Sequence, residues 1–461
     1  MLQSAITRTV TVASGRFAPG HLGELTQQVP FEMVDAVLAE TRTVQRRVRD
    51  LPSRVVVYLL LAGCLFAELG YRQVWHRMVA GLDGLPVPAP SEAALTKARR
   101  RVGVAPLRAL FDLLRGPAAT LAGQVWWRGL LVCAIDGTIM SVADSRSNLS
   151  VFSKQRGGAT GGSSYPMLRL LAVVACGTRT VIDAVFGPIS SGETTYARDL
   201  LRSMRAGMLV LADRNFAAGW LLAAIADTGA HLLVRAKTGT GGPNLPVLRR
   251  HRDGSYRSTF GAKIVRVIEA EITITTTAGT VTGVYRLITT LLDHHRHPAT
   301  GLIRLYHQRW EIETAYLELK SSILGGRVLR ARTPGGIDQE VHALLVTYQI
   351  LRTAMTDATN TTPGTDPDRA SFTTALHAAR DQIIQAAGVI AETVIDLVGK
   401  IGRLVLDNLM PARRLRVNAR TVKRAISKYN ARGPNIDRAT YKATLNINIL
   451  AGPALTTGPE P

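Results

Sequence analysis

Apolar and polar positions give the chain several distinct textures. Between residues 30 and 125 the apolar positions recur at helical spacing, which predicts helices over Pro30–Thr43, Pro52–Leu69 and Tyr71–Leu82. GLPVPAP (84–90) reads as a turn or linker. Ser91 is placed as the N-cap of EAALTKARRRVG with Gly103 as its stop, and a further helix runs from Pro106 to Leu114. From Trp126 the runs shorten and become β-type. GLLVCAIDG is expected to be a buried strand ending in Asp136. Arg169–Ala175 and Val181–Phe186 are two more strands, and GMLVLADRN is a strand ending in Asp213. A helix over Ala217–Thr228 and the strand His231–Ala236 complete an α/β layer. From Lys237 to about Pro298, Thr and Val become frequent and alternate with apolar residues in Lys263–Thr277 and Val281–Leu292. That is an antiparallel β module interrupting the layer. Helices follow at Leu302–Ile323, Gln339–Met355, Ser371–Ala387 and Val389–Met410, with a linker at Thr356–Arg369. The fold class is α/β with helical N-terminal and C-terminal regions. Its boundaries fall at 1–125, 126–237, 238–297, 298–356 and 357–461.

The segment Leu302–Ile323 has no Gly or Pro and is dense in helix formers, so one long helix is expected. At about 100° per residue, Tyr306, Arg309, Glu313 and Lys320 fall within roughly 60° of one another, on one polar stripe. Leu305, Ile312, Tyr316, Leu319 and Ile323 lie beside that stripe as the core seam. Glu311 and Glu318 fall about 140–160° away from Glu313 and are read as surface glutamates on the far face. One acid, Glu313, is thus singled out among cations at the edge of the core.

Composition adds a partner. The chain has 461 residues, and Lys+Arg exceeds Asp+Glu by 56 to 34, a net charge of +22. A balance this basic points to a polyanion, nucleic acid first. Ten Lys or Arg and one acid, Asp437, fall between Arg413 and Lys442, a basic tail read as contacting DNA. Lys97, Arg99, Arg100 and Arg101 sit on the first helix of a helix–turn–helix; this is either a DNA-contacting unit or an ordinary hairpin with a basic face. The Gly-rich run 156–166 lacks a phosphate loop's Lys-Ser/Thr and reads as a flexible loop that approaches DNA. The three cysteines are scattered, which fits a reducing cytoplasm. The apolar run Val55–Ala67 is too short to span a bilayer. The cluster DHHRHP (Asp293–Pro298) reads as an exposed loop rather than a metal site, because adjacent residues do not converge as separated ligands do.

Asp136 and Asp213 each follow a β-type apolar run and stand 77 residues apart; Glu313 lies 100 further on. Two strand-end carboxylates and one from a packed helix can meet at a point. Such a hard-oxygen set suits Mg²⁺ or Mn²⁺ and phosphodiester chemistry on two ions ~3.5–4 Å apart.

The residues Tyr306, Arg309, Glu313 and Lys320 spell Y-x(2)-R-x(3)-E-x(6)-K. That pattern resembles the signature of DDE transposases from bacterial insertion sequences, in the branch with a β-rich insertion before the last acid. The block Leu51–Trp75 resembles that branch's helical N-terminal domain. The resemblance spans about residues 30 to 350. It implies a ribonuclease-H-like catalytic core interrupted by the β insertion, with Asp136, Asp213 and Glu313 as catalytic metal ligands. It places Tyr306, Arg309 and Lys320 on the DNA near the cleaved end. Relatives commonly show Asp-Arg-Gly-Phe where this chain has Asp213-Arg214-Asn215-Phe216, and Asn tolerates left-handed backbone. Relatives can stack a flipped base on a Trp in the insertion; this insertion has none, and Tyr285, 28 residues before Glu313, is its expected substitute or else a core tyrosine. Arg214, Arg100 and Arg101 are further candidate DNA contacts. The resemblance also implies a homodimer on double-stranded DNA. A catalytically silent DNA-binding regulator and a nuclease without strand transfer are the alternative functions.

Overall fold

The computed structural model describes residues 10–11, 17–18, 20–47, 49–83, 85–120, 125–154, 165–276, 279–386, 399–411 and 444–450. Most of the Gly-rich run and the basic stretch of the tail lie outside these residues.

The N-terminal helices are α1 (Phe31–Glu40), α2 (Ser53–Leu65), α3 (Tyr71–Val79), α4 (Glu92–Val102) and α5 (Ala105–Leu114). α2 is apolar all round and accordingly buried from Val55 to Leu65. The Ser91 hydroxyl caps α4 by accepting the Ala94 N–H at 3.2 Å, and Gly103 ends it at φ +68°.

The central sheet is built from β1 (Leu130–Ser141), β2 (Met167–Ala175), β3 (Val181–Pro188), β4 (Met208–Ala212) and β5 (His231–Ala236). Helix α6 (Glu193–Leu200) connects β3 to β4, and α7 (Gly219–Asp227) connects β4 to β5. The spatial order is β3-β2-β1-β4-β5. β1 runs antiparallel to β2 and parallel to β4, and β4 parallel to β5. The apolar runs of β1 and β4 are nearly continuous because both faces of the sheet are covered. Leu131, Cys133 and Ile135 pack with Ala197 of α6 and Leu221 of α7. Val132 and Ala134 pack on the other face with Ile312 and Ala315.

The inserted strands β6 (Tyr256–Phe260), β7 (Lys263–Thr276) and β8 (Gly279–Thr289) do not form a detached module. β8 pairs antiparallel with β5, so insertion and core make one sheet. The chain then re-enters the layer through α8 (Ala299–Tyr306), a 3₁₀ turn (His307–Arg309), α9 (Trp310–Leu317) and a π turn (Glu318–Ile323). The expected single helix is therefore an unbroken helical run that departs from α pitch twice. Helix α10 (Pro334–Asn360) is longer than expected and almost wholly buried; α11 (Phe372–Ile384) and α12 (Gly399–Asp407) pack against it. A strand that the sequence did not announce, β9 (Thr444–Ile449), pairs antiparallel with β7.

Two expectations are corrected here. β1 does not end at Asp136 but continues five residues to Ser141, paired with β2, and the Ser141 carbonyl accepts the Leu329 N–H at 2.9 Å. In the DHHRHP segment His297 is buried, its ring 5.5 Å from that of Trp127, so the loop is only partly exposed.

Candidate active site

The two aspartates are brought together by strand register. The parallel pairing of β1 with β4 ends at Ile135 opposite Ala212. Asp136 and Asp213 are the next residues on the two neighbouring strands, so both stand at the carboxyl end of the parallel ladder. Beyond it β4 stops, and Asp213 opens a 3₁₀ turn, its carboxylate accepting the Asn215 N–H at 2.8 Å. Asp136 Oδ1 accepts the Gly137 N–H at 2.8 Å.

The YREK stretch is fastened across these strand ends by each of its polar members. The Tyr306 hydroxyl donates to the Ala212 carbonyl at 3.0 Å, beside Asp213. Arg309 Nη1 lies 3.3 Å from Asp136 Oδ2, and Arg309 Nη2 lies 3.2 Å from Glu313 Oε1. Lys320 donates to the Thr138 hydroxyl at 3.2 Å. The Tyr316 hydroxyl donates to the Asp136 carbonyl at 2.6 Å and accepts the Ala172 N–H at 3.0 Å. The helix phase read from the sequence thus places Glu313, Arg309 and Lys320 on the aspartate side.

Burial pushes the Asp136 carboxyl up to about 7; Arg309 and the Gly137 amide oppose the shift, and Asp213 and Glu313 add to it. Burial works against the Arg309 cation, but Tyr306 and the acids Asp136, Glu313 and Asp213 outweigh it and raise its pKa. A guanidinium already lies between Asp136 and Glu313, a place suited to a cation. All the surrounding acid donors are hard oxygens, the set that Mg²⁺ or Mn²⁺ accepts. Among the described residues no three acids close into a ready cage. A divalent ion fits this donor set once the Arg309 side chain gives up its position between the carboxylates.

Glu311 and Glu318 are not the surface residues expected. They are 4% and 7% exposed and face a buried charge network on the other side of the helix. Arg179 donates to Glu311 Oε2 at 2.6 Å and to Glu318 Oε1 at 3.2 Å, and pairs with Asp368. Arg352 Nε donates to Glu318 Oε2 at 3.1 Å, and the Tyr348 hydroxyl to the same oxygen at 3.1 Å. Arg179 sits at φ +58°, left-handed backbone that is costly for a residue with a Cβ.

Tyr285 is half-buried on β8, with the Arg235 guanidinium 4.0 Å above its ring. Both lie within electrostatic reach of Tyr306. Arg235 was missed because an arginine inside a strand carries no motif. Arg214 follows Asp213 directly and is exposed. Asn215 is not left-handed, contrary to the reason offered for its being tolerated. In the N-terminal hairpin Arg100 is exposed, whereas Arg101 donates to the Leu51 carbonyl at 2.5 Å and Arg99 stacks on Tyr71 at 3.8 Å. Half of that basic cluster therefore serves the fold. No described helix is long and apolar enough to cross a membrane.

Known proteins resemble the chain over most of its length. Residues 19–112 match the insertion element 4 transposase N-terminal family, and residues 127–350 match the transposase DDE domain family. The chain is 27% identical over 417 residues to the transposase InsG for insertion sequence element IS4 of Escherichia coli K12, covering 86% of this chain and 91% of the relative. It is 25% identical over 209 residues to the putative transposase InsZ of the same organism, covering 44% of this chain and 68% of that one. A piggyBac transposase in a synaptic complex with hairpin DNA superposes with a TM-score of 0.43 at 11% identity, over 86% of each chain. With both of its family regions matched in order, the chain belongs to the IS4-family DDE transposases, DNA-cleaving and DNA-joining enzymes that depend on divalent metal.

Proposed function

We propose that this transposase cleaves the ends of its insertion sequence and joins the resulting 3′-hydroxyls to target DNA, with Asp136, Asp213 and Glu313 as the ligands of two Mg²⁺ ions, or Mn²⁺ in their place. The observation that carries the reading is the register of β1 and β4, which sets Asp136 beside Asp213, with Arg309 linking Asp136 to Glu313. The order β3-β2-β1-β4-β5, with its mixed directions, supports a ribonuclease-H-like core extended by the insertion. The domain limits at 126–237, 238–297 and 298–356, with helical regions at 1–125 and 357–461, then mark stretches of sequence rather than separate bodies, since one sheet joins the first two and β9 in the last returns to it.

When bound, the ions activate the attacking water or 3′-hydroxyl and offset charge on the leaving oxygen. The chain's own residues do the rest. With the carboxylates committed to the ions, Arg309 would be released to hold the scissile phosphate, whose oxygens suit its forked donors. Lys320 holds a second phosphate oxygen from the Thr138 side. Tyr306 locks the helix to the end of β4. Tyr285, with Arg235 on one face of its ring, offers the other as a stacking platform for a displaced base. Arg214 and Arg100, both exposed, line the path of the double-stranded DNA, whereas Arg101 is held by the Leu51 carbonyl, and two copies of the chain hold the paired ends in a synaptic dimer.

Asp136→Ala, Asp213→Ala and Glu313→Ala are expected to abolish end cleavage while leaving gel-shift binding to the ends largely intact. Near wild-type cleavage in any one removes that residue from the site. Wild-type binding without cleavage would make the chain a regulator, and cleavage without joining a nuclease.

A further inference from the structure

We propose that Glu193 is a fourth carboxylate ligand of the divalent metal centre, reaching it from the opposite face of the sheet through the gap left by Gly137. The proposal rests on the assignment of Asp136 and Asp213 as metal ligands.

Side chains alternate along β1, so Asp136 points toward α9, and a side chain at 137 would point toward α6 and α7. Residue 137 is glycine, and the place its side chain would occupy is filled by Glu193, the first residue of α6. A Cβ built on Gly137 would lie 2.6 Å from Glu193 Oε1, 3.0 Å from its Cδ and 3.1 Å from its Cγ. Real Cβ atoms do not come that close, so any other residue at 137 would push the carboxylate away. The glycine is not there for its backbone freedom, since its φ is not positive. Its use is to admit an acid at the residue next to Asp136.

The same carboxylate also meets the second aspartate's turn. It lies within electrostatic reach of Asp213 and hydrogen-bonds the side chain of Asn215, two residues on. Arg169 faces it from β2 and offsets part of its charge. A glycine at 215 would give Glu193 no side-chain partner there. Gly137 and Asn215 therefore both accommodate one acid, set beside the strand that bears Asp136 and the turn that bears Asp213. Four carboxylates carry the charge that balances two divalent cations before DNA enters, which three do not.

The test uses the full-length protein with Mn²⁺ alone as probe, read by electron paramagnetic resonance, with circular dichroism and end binding as checks on folding. Glu193→Gln is expected to weaken Mn²⁺ binding about tenfold or more while DNA binding is retained. Asp136→Asn serves as the reference. If Asp136→Asn weakens Mn²⁺ binding and Glu193→Gln matches the wild type, the Glu193 proposal is overturned and the active-site reading stands. If neither variant changes Mn²⁺ binding, the active-site reading itself fails. A wild-type measurement covers a variant that does not fold. Fe²⁺ loaded in place of Mg²⁺ and treated with peroxide should cut the backbone around residues 136, 213 and 193. Cuts at the first two without one near 193 overturn the proposal.

Discussion

Glu318→Ala tests the buried network behind the catalytic helix. On the wild-type chain Glu318 takes the Nε donor of Arg352 at 3.1 Å and pairs with its Nη2. Arg352 is 1% exposed, and its remaining neighbours include the rings of Tyr348 and Phe372 at 5.9 and 5.2 Å. Removing Glu318 therefore strands a buried guanidinium without a carboxylate, which costs about 3–5 kcal/mol. Arg179 fares better, because it keeps Glu311 and Asp368. Glu311→Ala leaves Arg179 two acids and should cost less, about 1–3 kcal/mol. An exposed glutamate on the same helix would change stability by no more than about 0.5 kcal/mol. The assay is equilibrium urea unfolding followed by circular dichroism. Glu318→Leu combined with Arg352→Leu should recover most of the loss, since the pair leaves together. A Glu318→Ala protein within about 0.5 kcal/mol of wild type, or a double variant no better than the single, would refute the reasoning.

Arg309→Ala and Lys320→Ala should cut single-turnover cleavage of a pre-bound end duplex by roughly a hundredfold or more, through lost phosphate placement, while unfolding changes little; comparable losses of stability would assign both to the fold. Affinity for DNA should fall steeply with salt for a chain of charge +22. Neutralising the Lys and Arg of 413–442 should flatten that slope, and an unchanged slope would make the stretch a solubilising appendage. Truncation after Met410 is the poorer test, because it also removes β9 from the edge of β7. His21 lies buried with Nε2 on the Met78 carbonyl at 3.0 Å and Nδ1 facing the Gly23 N–H at 3.3 Å, so burial lowers its pKa from 6.5 to about 4. The unfolded chain binds the proton first, so stability should drop as pH falls below about 6.5, by about 3 kcal/mol at pH 4. A His21→Gln variant with an unchanged pH profile between those values would exclude His21 as the cause.

The legible parts of this chain were those with local period. LLVCAI and MLVLA read as strands because a sheet covered on both faces needs unbroken apolar runs, and the acids that follow them fell beside each other once the strands paired in parallel. The helix phase held for Arg309, Glu313 and Lys320 although the pitch changes at His307 and again at Glu318. One tight turn and one wide turn offset each other over the fourteen residues from Tyr306 to Lys320. What sequence could not show was which polar residues are buried by distant partners. Glu311 and Glu318 meet Arg179 and Arg352 across more than thirty positions, and no helical wheel contains those arginines. Glu193 lies in no element read from the sequence, and its meeting with Gly137 exists only in the folded sheet. β9 was obscured because TLNINI follows a long basic stretch and pairs with a strand some 170 residues earlier.

Helix α9 and the turns at its ends carry three glutamates within eight positions, and environment alone separates their roles. Glu313 pairs with Arg309, the cation that also holds Asp136, and so faces the aspartates. Glu311 and Glu318 are committed to arginines that are themselves buried and have no other use in the site. The two sets point in opposite directions from one helix. The buried set fixes the rotation of that helix about its axis, and that rotation fixes where Glu313 meets the aspartates. A change that loosens the far side should therefore reach cleavage through position rather than chemistry. Glu318→Ala protein that remains folded should lose cleavage together with stability, and a substitution that restores the packing should restore both. Glu313→Ala should lose cleavage with its stability nearly intact. If Glu318→Ala cleaves normally while destabilised, the helix is held by its YREK contacts alone and the network serves only the core.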